Sequence, residues 1–263
     1  MSDQLLLVTA IAVAAGAAPL LGTGLGLVHR PSTLLMSIVL GFAAGAIIGT
    51  AVFEMVPRSI ELAPAAVAIG AFVTGYLAFY AFDLLLHRGQ TAGEHAEQRQ
   101  HVSAYRRWHR PVGTETTVLA GGTLIEEVIE GMTIGASASL DPALAGIVAL
   151  AIALDSFGEG ASIVELMREE RGRGKAWRRA LPWTGAMGVA MAVSTVAGFL
   201  FLRDVPDVVI GGLLAFGAGG FMYLTITKLI PEGEARHYEQ SAALAAGAGL
   251  VVVMVLQLVL LSG

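Results

Sequence analysis

The sequence of 263 residues contains no cysteine, which excludes disulfide bonds and thiolate metal ligands and gives no indication of the redox compartment. Charged residues are also scarce. Asp, Glu, Lys and Arg make up 14% of the chain, against roughly 25% in ordinary soluble domains. Hydrophobic residues make up 55%, and the mean hydropathy is +0.71. This composition excludes an ordinary soluble domain and indicates an integral membrane protein.

Long apolar runs account for most of the chain. A helix that spans a bilayer needs about 20 mostly apolar residues, and the sequence contains eight such runs. The predicted spans 1 to 8 are Leu5 to Val28, Thr33 to Pro57, Ala63 to Leu86, Thr116 to Ala138, Ala143 to Met167, Leu181 to Leu202, Pro206 to Ile230 and Glu239 to Leu261. We therefore predict an all-α, polytopic membrane protein with eight transmembrane helices. Residues 1–263 are expected to form one domain, with spans 1–3 at 5–86, a loop at 87–115, spans 4–5 at 116–167 and spans 6–8 at 181–261.

Lysine and arginine are distributed unevenly between the two sides of these spans. The loops after spans 1, 3, 5 and 7 hold nearly all of them, whereas the opposite side keeps only Arg58 and Arg203. By the positive-inside rule, both termini are predicted to lie outside the cytoplasm and the loop at 87–115 inside it. The basic run from Arg168 to Arg179 is interpreted as a topology determinant near anionic lipid headgroups. Membrane lipid is thus an expected partner, and nucleic acid is not.

Two pairs of spans repeat each other in sequence. Phe42 to Pro57 in span 2 aligns with Phe216 to Pro231 in span 7 at a constant offset, with Phe, Ala, Gly and Pro matching. Ala- and Gly-rich helices also resemble one another by chance, but these two spans run in opposite directions, as in the inverted repeats of secondary transporters. Spans 4 and 5 form a second antiparallel pair. The predicted arrangement is 3+2+3, in which spans 6 to 8 repeat spans 1 to 3 upside down.

Acidic side chains lie in the middle of spans 4 and 5. Glu126 and Glu130 align with Asp155 and Glu159, and residues four apart lie on one face of a helix. A charge near the bilayer centre costs about 2.5 to 3.5 kcal/mol, so these acids need cations or protons as partners. Clustered carboxylates suit hard or borderline divalent cations. The alternative is that some of the acids are protonated and form hydrogen bonds between helices.

The same two segments resemble the signatures of a known transporter family. The run Glu126 to Ser137 is similar to the helix-4 signature of ZIP metal transporters, commonly His-Asn-x-Pro-Glu-Gly-x-x-x-Gly, and Asp155 to Gly160 is similar to their helix-5 signature. The resemblance extends over nearly the whole chain. It implies an eight-helix carrier of the prokaryotic plasma membrane, with divalent cations as substrate, no cofactor and a homodimeric assembly, which the Gly- and Ala-rich helices permit.

Carried over by position, the resemblance assigns a set of metal ligands. Glu126, Glu130, Asp155 and Glu159 would form the primary site, and Glu127 and Ser156 would face a second one. Glutamates replace the usual His and Asn of helix 4, and the sequence at 183–188 in span 6 lacks the Glu that family members often contribute. These departures favour a single, oxygen-rich site, whose preference moves from zinc toward harder ions such as Mn, Fe(II) or Ca.

Four further residues are expected along the transport pathway. Glu54 would belong to the entrance, and Asp83 with His87 to the exit, although a solvated helix end also explains Glu54 and Asp83. Lys228 stands where span 2 of the repeat has Glu54. It would pair with Asp83, stand in for a cation, or extend to the cytoplasmic interface.

The predicted function is transmembrane transport of a divalent cation such as Zn, Mn, Fe(II) or Cd. A proton-linked carrier and a metal sensor without flux are the alternatives. An intramembrane metalloenzyme is disfavoured, because the chain lacks the His-Glu-x-x-His and Gly-x-Ser-x-Gly motifs and the two Glu-x-x-His motifs of di-iron bundles. We therefore do not expect an enzyme.

Overall fold

The computed structural model describes residues 2–28, 32–86, 115–171, 177–234 and 238–261, which are helical apart from short turns. Eight long helices, α1 to α8, follow the eight predicted spans, so the predicted all-α membrane fold is confirmed. Their bounds are Ser2–Val28 (α1), Thr33–Gly49 continuing through Thr50–Met55 and Val56–Leu62 (α2), Ala65–Leu86 (α3), Glu115–Leu140 (α4), Pro142–Arg171 (α5), Trp177–Leu202 (α6), Asp207–Leu224 continuing through Thr225–Leu229 and Ile230–Glu234 (α7), and Glu239–Leu261 (α8).

Seven of these helices are long and apolar enough to cross a membrane, counted over the described residues. The other is α4, whose 26 residues would suffice in length but whose apolar sequence is interrupted by Glu126, Glu127 and Glu130. It packs along α5 and α6 inside the bundle. Glu115, predicted as the last loop residue, opens α4, and the preceding part of the loop, 87–114, lies outside the described residues.

Helices α2 and α7 each contain a π-helical segment that the sequence did not predict, at Thr50–Met55 and Thr225–Leu229. A proline follows each segment, Pro57 in α2 and Pro231 in α7. Proline has no N–H to donate to the carbonyl four residues earlier, so the helical ladder is broken at this point. In α2 the freed carbonyl of Phe53 accepts a hydrogen bond from the Gln257 side chain of α8. The two interruptions occupy equivalent places in the sequence repeat.

Helix packing follows the inverted repeat. Helix α1 packs along α5 as α6 packs along α4, and α2 packs along α8 as α7 packs along α3. The close backbone approaches match residue by residue at the offset that relates Phe42 to Phe216. The approach of Gly45 to Ala246 corresponds to that of Gly219 to Phe72. The approach of Gly249 to Phe42 likewise corresponds to that of Gly75 to Phe216. The repeat therefore includes α3 and α8, and the helices of the two halves share one core.

A glycine substitution tests this packing. A Cβ at Gly249 would collide with the Phe42 carbonyl oxygen, whereas a Cβ at Gly247 would meet nothing within 4 Å. Because overpacking costs about 1 to 3 kcal/mol, Gly249→Ala is expected to lower the unfolding temperature of the detergent-solubilised protein by several degrees. Gly247→Ala is the matched control and should leave it unchanged or slightly higher, since alanine favours the helix. Equal effects of the two substitutions would contradict the described approach of α2 and α8.

Candidate metal-binding site

A tight turn between α4 and α5 determines how the acidic residues of the two helices lie along the bundle. Asp141 forms this turn, and its carboxylate accepts a hydrogen bond of 2.8 Å from the Ala143 N–H at the start of α5. The two helices consequently run antiparallel, with their acids near the middle of each. On α4 Glu130 lies nearer the turn than Glu126 does, and on α5 Asp155 lies nearer to it than Glu159 does.

Lys228 bridges Glu126 and Glu159, the acid of each of these two pairs that lies farther from the turn. Its Nζ donates to Glu126 Oε2 at 2.7 Å and to Glu159 Oε1, so one ammonium joins α4, α5 and the π segment of α7. All three side chains are largely buried. Charge-assisted hydrogen bonds of this kind are roughly twice as strong as neutral ones. Of the three roles considered for Lys228, the structure shows the side chain at the acids, in the place of a cation, rather than extended toward the helix end.

The remaining acids are deeply buried. Glu127 is fully buried, and Glu130 and Asp155 are each 4% exposed. By strict hydrogen-bond geometry, neither carboxylate oxygen of Glu127, nor Asp155 Oδ1, nor the buried Ser156 hydroxyl has a partner among the described residues, although Ser156 lies within interaction range of Glu127. Buried polar atoms without partners are uncommon and require an explanation, such as a catalytic role or a bound ion. The donor set consists of oxygens, which suits a divalent cation.

Glycines beside the acids let neighbouring helices approach. A Cβ at Gly160 would collide with the Pro19 carbonyl of α1, and a Cβ at Gly131 would collide with Ser194 Oγ of α6 and lie 2.5 Å from the Met191 carbonyl. Pro19 and Met191 thus occupy equivalent places in α1 and α6. The glycine after each acidic pair serves close helix packing, which holds α4 and α5 between α1 and α6.

The predicted ligands share one region but do not form a finished coordination sphere. No group of three or more His, Asp or Glu side chains within the described ranges is arranged to hold a metal ion as it stands. Glu126 and Glu159 instead contact Lys228. Glu130 lies within electrostatic range of Glu127 and Asp155, so these carboxyl groups form one interacting cluster. Their assignment as metal ligands stays a prediction.

The predicted pathway residues lie at different places along the bundle. Glu54 belongs to the π segment of α2 and lies within electrostatic range of Asp141, at the end that carries the α4–α5 turn. Asp83, near the end of α3, is buried and accepts a hydrogen bond of 2.6 Å from the Tyr223 hydroxyl. His87 lies outside the described residues. Asp83 is therefore not a fully solvated helix end, while its role in transport stays a prediction.

Three polar residues near these sites were not identified from the sequence. The Tyr223 hydroxyl donates a hydrogen bond to Asp83, and the Gln257 side chain donates one to the Phe53 carbonyl. Glu232 accepts a hydrogen bond of 3.2 Å from Ser162 of α5. Extension of the repeat to α3 and α8 would have found Gln257, because it aligns with Asp83 at the constant offset. The sequence repeat gives no such indication for Tyr223 or Glu232.

Comparison with known proteins finds relatives that align over most of the chain. No family model matches the chain. It is similar to proteins named "Zinc transporter ZupT" from Salmonella arizonae (26% identity over 222 residues), Salmonella heidelberg (27% over 222) and Salmonella paratyphi A (27% over 224), each alignment covering 82% of both chains. These relatives support the resemblance of the chain to ZIP transporters. The resemblance noted in α4 and α5 is thereby confirmed, and the ZIP-type relationship covers most of the bundle.

Proposed function

We propose that this protein is a ZIP-family transporter, which moves divalent metal cations across a membrane through the carboxyl cluster of α4 and α5. Its relatives are named as transporters of zinc, which supports a transporter of divalent cations rather than an enzyme. The observation that carries the proposal is the set of carboxyl groups on Glu126, Glu127, Glu130, Asp155 and Glu159, buried in the middle of two spans. Unpaired oxygens at that depth are costly without a cation.

In this proposal the cluster replaces part of the hydration shell of the ion. Glu126 and Glu130 of α4 and Asp155 and Glu159 of α5 supply carboxylate oxygens from both helices. Glu127 and Ser156 add oxygens that the protein itself does not pair. The π segments of α2 and α7 would let those helices bend around the central pair, as expected for an inverted-repeat carrier. The metal is the transported substrate and stays only transiently.

The donor set leads to a prediction about metal preference. With carboxylates in place of imidazole, the preference is expected to move away from Zn(II) toward Mn(II) or Fe(II), because zinc sites in proteins favour nitrogen and sulfur ligands. The measurement is the rise in unfolding temperature with equal concentrations of Mn(II), Fe(II), Zn(II), Cd(II) and Ca(II). A strong preference for Zn(II) with no response to Mn(II) would contradict the predicted selectivity.

We also propose that both termini lie outside the cytoplasm, in a prokaryotic plasma membrane. Because the natural chain has no cysteine, single introduced cysteines report membrane sidedness without background. Ser2→Cys and Ser262→Cys are expected to react with a membrane-impermeant maleimide in intact cells, and Ala104→Cys only after permeabilisation. The reverse pattern would invert the proposed topology. We likewise propose that residues 1–263 form a single transport domain and that the protein is a homodimer.

A proton-linked carrier that does not depend on metal is the second candidate. The observation that favours it is Lys228, which supplies Glu126 and Glu159 with a cation from within the chain. The two candidates differ in their response to metal. A carrier of the second kind would show no rise in unfolding temperature with any divalent cation, whereas the proposed transporter requires one.

A further inference from the structure

Lys228 breaks the charge symmetry of the repeat at the acidic cluster. It aligns with Glu54, yet its ammonium contacts Glu126 and Glu159 on two different helices. We propose that Lys228 is a tethered competitor of the transported metal, whose ammonium must leave these two carboxylates before a divalent cation can use them. This inference rests on the proposed function and adds to it a residue that sets affinity and release.

The competition follows from the shared acceptor atoms. The ammonium donates charge-assisted hydrogen bonds to one oxygen of Glu126 and one of Glu159, and a metal bound between the same groups would need those lone pairs. A cation attached to the chain acts at a high effective concentration. The site would therefore bind metal more weakly than its carboxylates alone allow, which favours release on the far side of the membrane.

The displaced ammonium has an acceptor within reach. Glu232 follows Lys228 by four residues on the same helix, and its carboxylate contacts Ser162 of α5 at 3.2 Å. Ser162 in turn follows Glu159 by three residues, on the same side of α5. A shift of the Lys228 side chain by about one turn would thus exchange Glu159 for Glu232. In this way the protein keeps the ammonium paired while the metal occupies the cluster.

The experiment is a Mn(II) titration of purified wild type, Lys228→Gln and Arg203→Gln, followed by unfolding temperature. Arg203 is the matched control, because its ion pair with Asp204 is exposed at the end of α6. Lys228→Gln is expected to lower the unfolding temperature without metal, since it leaves buried carboxylates unpaired. It is also expected to lower the Mn(II) Kd by about tenfold or more. Arg203→Gln should retain the wild-type Kd.

An unchanged or raised Kd in Lys228→Gln would overturn the inference while leaving the proposed function intact. If wild type itself binds no divalent cation, both fail together. Should Lys228→Gln not fold, Glu232→Gln decides the question. Loss of the alternative acceptor predicts a raised Mn(II) Kd, and an unchanged Kd would overturn the inference.

Discussion

Replacement of Glu130 or Glu159 by glutamine is expected to abolish the rise in unfolding temperature that a divalent cation causes in the wild-type protein. Glutamine keeps the shape of the side chain but removes the negative charge. Glu130 is buried, so water has little room to replace the missing ligand charge. Loss of residues that merely orient metal ligands typically costs 10- to 100-fold in affinity, and loss of a ligand charge should cost at least about 100-fold.

The control for these two variants is Glu61→Gln. Glu61 is an exposed acid that pairs with Arg58 at the end of α2, and exposed ion pairs contribute little to stability. This variant should respond to metal as the wild type does. A wild-type response in Glu130→Gln and Glu159→Gln would mean that metal binds elsewhere in the protein.

Replacement of Glu127 by methionine is expected to stabilise the metal-free protein and weaken its response to metal. Glu127 is fully buried, and neither of its carboxylate oxygens has a hydrogen-bond partner within the described ranges. Because a buried unpaired polar group costs about 1 to 3 kcal/mol, an apolar side chain of similar length should raise the unfolding temperature by several degrees. A gain in stability with a loss of binding is the usual sign of a functional residue.

Val128→Met is the matched control for this variant. Val128 follows Glu127 on α4 but is exposed, so methionine there should change neither the unfolding temperature nor the metal response. If Glu127→Met instead lowered the stability of the metal-free protein and kept the full metal response, Glu127 would be a structural residue and not a ligand.

The helices were predictable from the sequence because a bilayer demands long, uninterrupted apolar runs. The bounds of α8 agree with the prediction at both ends, Glu239 and Leu261. The acids of α4 and α5 were equally visible, since their spacing alone places them on one helix face. By contrast, the π segments depend on which carbonyl each N–H reaches near Pro57 and Pro231, and the sequence marks only the prolines.

The position of the Lys228 ammonium could not be predicted for a different reason. A lysine near the end of a span has a side chain long enough to reach either the membrane interface or a site one turn deeper in the bundle. The packing of α7 against the central pair decides between them, and it places Nζ 2.7 Å from Glu126. The sequence therefore predicted a cluster of acids, but it did not decide whether the Lys228 ammonium reaches them.

The most direct test of the account is uptake of Mn(II) into proteoliposomes that contain the purified protein, compared with the Glu159→Gln variant and with protein-free vesicles. The account predicts saturable uptake by wild type and background uptake by the variant. Wild-type vesicles that take up no more Mn(II), Fe(II), Zn(II) or Cd(II) than protein-free vesicles, with or without a pH gradient, would contradict it.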